Sequence, residues 1–220
     1  MFAFIASRCE EHDLAWDCAT GNGQSAWSLV AHFTSVIATD ASSEQIGSAG
    51  KHAGIEFRVA RAEASALRSA SVDLITVAQA LHWFDIDRFF AEVCRVLKPG
   101  GVLAIWCYEH CRVGAACDQQ IRKIFAEVEP YWPPEREIVE SRYKGIALPV
   151  AEFSADKFHM QACWTADNML DYMRTWSASQ RYLDDKGADP TAHFANELRA
   201  AWGDDRHTVR WPITLRMGRK

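Results

Sequence analysis

Nowhere does this 220-residue chain string together the roughly 20 apolar residues that a membrane span requires, so no membrane partner is expected. Its opening, Met1 Phe2 Ala3 Phe4 Ile5 Ala6 Ser7 Arg8, lacks the basic residues that precede a signal-peptide core, which leads to the expectation of a cytoplasmic protein. Positive charge is not in excess either. With 24 Lys and Arg against 29 Asp and Glu the formal net charge is −5, and the electrostatic reason to expect a nucleic-acid partner is gone. The seven cysteines form no even framework, and Cys107, His110, Cys111 and Cys117 contain no paired CxxC. They read as reduced thiols packed as small hydrophobes, with no metal expected. Internal repeats and low-complexity segments are absent as well.

What the chain does have is a glycine turn in an informative setting. After the apolar run Leu14 Ala15 Trp16 comes Asp17 Cys18 Ala19 Thr20 Gly21 Asn22 Gly23 Gln24, then a helical pattern from Ser25 to Phe33. Strand, glycine turn and helix in that order are the opening of a nucleotide-binding α/β fold, where glycine admits a ligand that a Cβ would block. The next apolar run, Val36 Ile37 Ala38 Thr39, closes on Asp40, where a ribose diol would reach it. Gly21, Gly23, Ala26 and Asp40 suit a nicotinamide dinucleotide nearly as well as other adenosine cofactors. Asp17 helps to separate them. A dinucleotide brings a pyrophosphate to this turn, where the carboxylate would repel it, whereas S-adenosylmethionine carries an ammonium and a sulfonium and no phosphate. Purely structural roles compete with both assignments: Asp17 as a cap for the loop or the following helix, Asp40 as an N-cap for the helix after it.

With 49% hydrophobic residues, the chain is long enough for one sizeable core. Residues 2–12 carry a helical pattern, 14–18 and 35–39 read as strands, 43–53 as a helix, and 55–59 and 72–77 as two further strands. A helix over 87–97 is stopped by Lys98 Pro99 Gly100 Gly101 before a fifth strand, 102–106. This alternation predicts a doubly wound, mostly parallel sheet with ligands at the carboxyl ends of its strands. Beyond 109 the pattern changes to helix, a proline-containing loop, a strand near 157–162, helices near 166–182 and 190–202, and a last strand near 207–217. Trp132, Trp164, Trp176, Trp202 and Trp211 crowd this half, most of them expected as core. Residues 1–108 are expected as the cofactor-binding core and 109–220 as the part that completes the sheet, the two forming one structural domain.

Taken together, these segments resemble the class I S-adenosylmethionine-dependent methyltransferases, and within them the small-molecule group that includes trans-aconitate methyltransferase-like proteins. The resemblance covers nearly the whole chain. It rests on Asp17 to Gly23 as motif I, Asp40 ending the second strand, Ala62 Glu63, Gln79 Ala80 Leu81 His82 Trp83 Phe84 after the fourth strand, and Arg95 to Gly101 leading into the fifth. It implies a Rossmann-like seven-stranded sheet whose last strand is antiparallel, a helical substrate cap in the C-terminal half, and S-adenosylmethionine as methyl donor. It also implies that Asp17, Ala19, Gly21 and Gly23 belong to the cofactor site, with Gly21 and Gly23 close to the methionine portion, that Asp40 binds the ribose, that Ala62 and Glu63 flank the adenine, and that Gln79 and Ala80 face the cofactor. Ala19 stands where the family usually has a glycine. The resemblance further leads one to expect an upstream segment covering the cofactor; without it, the chain reads either as an enzyme or as a cofactor-binding protein without turnover.

Methyl transfer from a sulfonium is an in-line displacement in which positioning and desolvation suffice, so few catalytic residues are required. His82 is the candidate base for a hydroxyl or amine acceptor, or else a residue that holds the loop. Trp83 is placed to shield the sulfonium or simply to pack. A carboxylate acceptor would need a cationic anchor and no base; Arg174 and Arg181 are the candidates, with solvated arginines on an amphipathic helix as the alternative. The competing enzyme class, a nicotinamide-dependent oxidoreductase, lacks a Tyr and Lys pair at catalytic helical spacing.

Overall fold

Strands with small or β-branched residues facing both ways need cover on both faces, and the chain provides it by alternating such strands with short amphipathic helices. The computed structural model describes residues 1–220. In chain order the first part runs α1 (Phe2–Ala6), β1 (Leu14–Cys18), α2 (Gln24–Leu29), β2 (Ser35–Asp40), α3 (Ser43–Ser48), β3 (Ile55–Val59), β4 (Val72–Ala78), α4 (Ile86–Val96) and β5 (Leu97–Tyr108). There follow α5 (Ala115–Val128), α6 (Arg136–Glu140), β6 (Ala151–Phe153), β7 (Phe158–Trp164), α7 (Ala166–Arg174), α8 (Ser177–Lys186), α9 (Ala195–Trp202) and β8 (His207–Arg219).

The sheet order is β3-β2-β1-β4-β5-β8-β6, with β7 paired to β8. β1, β2, β3, β4 and β5 pair in parallel, whereas β6 and β8 pair antiparallel. β8 also runs against β5, since Gly100 N–H bonds the Lys220 carbonyl while Glu109 N–H bonds that of Pro212. This is the expected α/β architecture with its antiparallel edge. The chain groups into two compact units: Met1–Cys107 with Ser141–Phe158 and Thr214–Lys220, and Tyr108–Glu140 with His159–Ile213. The second unit is mainly helical, with a core that includes Ile121, Ile124, Met169, Leu170, Leu198, Trp202 and Trp211.

Several boundaries differ from expectation. The helices expected over 2–12, 25–33 and 43–53 stop at Ala6, Leu29 and Ser48, and the helix expected over 166–182 breaks at Thr175 and Trp176. β5 begins at Leu97, because Leu97 pairs with Val72 and the Lys98–Gly101 segment enters the strand as a register shift instead of ending before it. β6 was not expected; three residues with two exposed side chains leave no periodicity to read. Where capping chemistry is explicit the pattern holds: Asp85 accepts from Arg88 N–H at the start of α4, which buries Phe89, Val93 and Val96, and Thr165 with Asn168 forms a capping box on α7.

Candidate active site

β1, β2 and β4 end side by side, and the loops that leave them form one wall of a cleft within the first unit. The cleft has a volume of about 480 Å³ and is lined by Ala19, Gly21, Asp40, Ala62, Glu63, Gln79, Ala80 and Trp83, all expected from the sequence. Ala41, Ser42, Gln45, Ala60, Arg61, Ala78 and Phe84 line it too, and sequence reasoning missed them. A usable signal existed for Ser42 and Gln45, which open the helix directly after Asp40. Of the other expected residues, Asp17, Gly23 and His82 are not part of the lining, and Arg174 and Arg181 belong to the second unit.

The glycine turn is closed by its own hydrogen bonds. Gly21 N–H donates to Asp40 Oδ2 at 2.9 Å and Gly23 N–H to the Thr20 carbonyl at 3.0 Å. Gly21 and Gly23 have φ of 57° and 95°, and a Cβ on Gly23 would meet the Phe57 ring at 2.9 Å, so glycine is required there by both backbone and space. Ala19 (φ 55°) and Gln79 (φ 52°) hold the same left-handed region without being glycines. Each carries strain of about 1–2 kcal/mol, and such residues collect at ligand sites. The methyl that stands in place of the usual glycine is thus accommodated with the turn intact.

Asp40 also accepts Ser42 N–H on Oδ1 at 2.9 Å. Asp17 is fully buried beneath the turn, with Oδ2 accepting from Thr20 Oγ1 at 2.5 Å and Oδ1 from Thr76 Oγ1 at 2.7 Å. Burial pushes its pKa up to about 6, against the hydrogen bonds from Thr20, Thr76 and the Ala26 backbone, with the charge of Asp40 adding to the rise. Asp17 is thus tied both to the turn, through Thr20, and to β4, through Thr76.

The loop after β3 is pinned by Glu92, buried on α4, which accepts from Ser65 N–H at 2.9 Å and from Arg95 Nε at 2.7 Å. Burial raises the Glu92 pKa, but Arg95 and Ser65 outweigh it and hold the carboxyl below its ordinary value. This fixes Ala62 and Glu63, and Glu63 Oε1 accepts Asp85 N–H at 3.0 Å. Gln79 N–H bonds the Trp106 carbonyl at 2.8 Å, and the His82 and Trp83 rings lie 4.6 Å apart in the one-turn 3₁₀ segment that follows. In the second unit, Arg174 pairs with Asp189 and Asp171, each at 2.7 Å, and Arg181 Nη1 donates to the Tyr131 carbonyl at 3.4 Å.

Comparison with known proteins agrees with this geometry. A family model for a methyltransferase domain matches residues 16–105. A Dictyostelium discoideum protein named as a methyltransferase is 31% identical, the alignment covering 100% of this chain and 88% of that protein. A solved structure from Anaeromyxobacter dehalogenans, named as a type II methyltransferase, is 39% identical with a TM-score of 0.93, over 99% of this chain and 94% of that one. The geranyl diphosphate C-methyltransferase of Streptomyces coelicolor, solved with S-adenosylhomocysteine, shares 14% identity at a TM-score of 0.50 over 99% of this chain and 74% of its own, a likeness of fold alone. With a relative above 30% identity aligned along the whole chain and a cleft built where such folds bind their ligands, the protein belongs to the class I S-adenosylmethionine-dependent methyltransferases.

Proposed function

We propose that the cleft binds S-adenosylmethionine and that the protein transfers its methyl group to a small organic acceptor. The observation that carries the choice of cofactor is the internal closure of the glycine turn. In a phosphate-cradling turn the backbone N–H groups point at the ligand, but here those of Gly21 and Gly23 are taken by Asp40 and Thr20. A buried carboxylate beneath the turn and two more acids on the wall, Asp40 and Glu63, suit a cationic ligand and oppose a pyrophosphate.

The residues present fit the group. Each Asp40 oxygen uses one lone pair on a backbone N–H and keeps another for a ribose hydroxyl. Ala62 and Ala80 leave room for a flat adenine, with Glu63 at its edge. Trp83, 59% exposed and part of the cleft lining, would be the aromatic side chain to shield the sulfonium. The cofactor supplies an electrophilic methyl group and leaves as a thioether. The chain's own work is to orient the donor and exclude water, and a carboxylate acceptor, already ionised at pH 7, would need no base. Small carboxylic acids, the class suggested by the resemblance to trans-aconitate methyltransferase-like proteins, are therefore the first acceptors to screen. His82 would then serve to hold the loop.

The test is calorimetric titration with S-adenosylmethionine, S-adenosylhomocysteine and NAD in parallel. Binding of the two sulfur compounds and not of NAD is expected; binding of NAD alone would overturn the cofactor assignment.

A further inference from the structure

β4 is apolar except at two positions, and the second of them, Thr76, has no need of a hydroxyl on grounds of packing: it is fully buried, in register with Asp17 on β1. A buried hydroxyl requires a partner, and this one has the Asp17 carboxylate at 2.7 Å. On its other oxygen Asp17 accepts from Thr20, which is also fixed by its N–H on the Thr39 carbonyl at 2.9 Å and by its carbonyl under Gly23 N–H at 3.0 Å. Gly21, the next residue, stands on the cleft wall. A line of hydrogen bonds from the middle strand of the sheet thus reaches Thr20, the residue bonded to the cleft-lining Gly21.

We propose that Thr76 is a positioning residue of the methyl-donor site, holding the Asp17 carboxylate against the underside of the glycine turn. The inference rests on the reading of the cleft given above. Charged and titratable groups bearing on Asp17 are Asp40 from β2 and the neighbouring Cys18 thiol, itself pushed well above its ordinary pKa by burial; α2 contributes the Ala26 backbone N–H, and none of these is a cation. The two threonine hydroxyls are therefore the side chains that favour the ionised form. When Asp17 takes up a proton, one of its oxygens becomes a donor and the hydroxyl facing it can only accept, so the charge-assisted bonds that hold Thr20 and the turn it anchors are weakened. The protonation state of Asp17 thereby becomes a determinant of donor binding, and Thr76 sets the pH at which it changes.

Two measurements on the full chain test this. S-adenosylhomocysteine affinity is followed from pH 5.5 to 8.5 for the wild type, Thr76→Ser and Thr76→Val. Thr76→Ser should match the wild type, while in Thr76→Val the acid limb should move up by about one pH unit, so that binding is about tenfold weaker near pH 5.5, about twofold weaker at pH 7 and equal to the wild type at pH 8.5. Wild-type affinity and midpoint in Thr76→Val would overturn the proposal, as would uniform weakening at every pH, the mark of a merely structural role. The second measurement follows the Asp17 carboxyl by carbon NMR in the unliganded protein, assigned by its loss in Asp17→Asn. A higher midpoint in Thr76→Val is expected, and equal midpoints would refute the idea. Because this readout needs no ligand, failure of the wild type to bind S-adenosylhomocysteine would count against the reading of the cleft and not against the link between Thr76 and Asp17.

Discussion

Asp40 and Asp17 lie on adjacent strands, yet burial gives them different tasks. Asp40 is half-exposed and presents free lone pairs to the cleft while it holds the N–H groups of Gly21 and Ser42. Asp40→Ala should weaken S-adenosylhomocysteine binding by about 1–3 kcal/mol, the scale of hydrogen bonds to a charged group, as calorimetry would show. Asp17 is fully buried, and its pKa rises from 3.8 to about 6 on folding, first through desolvation. The folded state thus binds that proton more tightly than the unfolded state. Its contribution to stability is present in full below the unfolded value and is lost as pH rises through the folded one, a loss of about 3 kcal/mol. Asp17→Asn removes the ionisation, so in urea titrations its stability relative to the wild type should climb by that amount between pH 4 and pH 7 and then level off. A constant difference across that range would contradict burial as the cause of the shift. A residue that costs stability at neutral pH yet anchors the turn is consistent with a functional reason for its place.

Among the elements, the amino end of the sheet shows how β1, β4 and β5 are locked. Asp73, buried near the start of β4, accepts from the N–H groups of Asp13 and Leu14 at 2.9 and 2.8 Å. Lys98, at the start of β5, reaches Asp73 at 2.7 Å, Glu11 at 3.2 Å and Asp13 at 3.3 Å, so its ammonium fills the space between three carboxylates. Lys98→Met would leave the Asp73 charge buried without its cation. A loss of about 2–3 kcal/mol is expected in chemical denaturation, below the full scale for a broken buried pair because the two N–H donors remain. Activity per folded molecule should be kept, since the cleft lies at the opposite, carboxyl end of these strands. The same segment explains a misplaced boundary: Lys98 Pro99 Gly100 Gly101 has the composition of a stop, but ion pairing and the pairing of Leu97 with Val72 draw it into the strand.

Over the whole molecule, any ligand that binds only the folded state adds to its stability by mass action. S-adenosylhomocysteine at a hundredfold excess over its Kd should contribute about 2.7 kcal/mol and raise the Tm by roughly 5–10 °C, with no rise for NAD. No helix is long and apolar enough to cross a membrane. The order of strands and helices through residue 106 was legible because fully buried strands read as apolar runs and glycine and proline punctuate them. The cleft residues Gly21 and Asp40 were legible because the ends of those strands fix where a ligand meets the sheet, whereas Ala62, Glu63, Gln79 and Ala80 were expected only through the family resemblance. Tertiary structure alone decided the rest. Which polar side chains point into the cleft depends on packing: Asp17 turns down onto Thr76, and Arg174 is taken up by Asp171 and Asp189. The contributions of Arg61 and Gln45 come from loop and helix placement, and β6 exists because β8 presents an edge to three residues with no strand pattern of their own. Periodicity records which face of an element is buried, but hydrogen bonds between residues about 60 positions apart, such as that of Asp17 with Thr76, are set only when the strands are brought side by side.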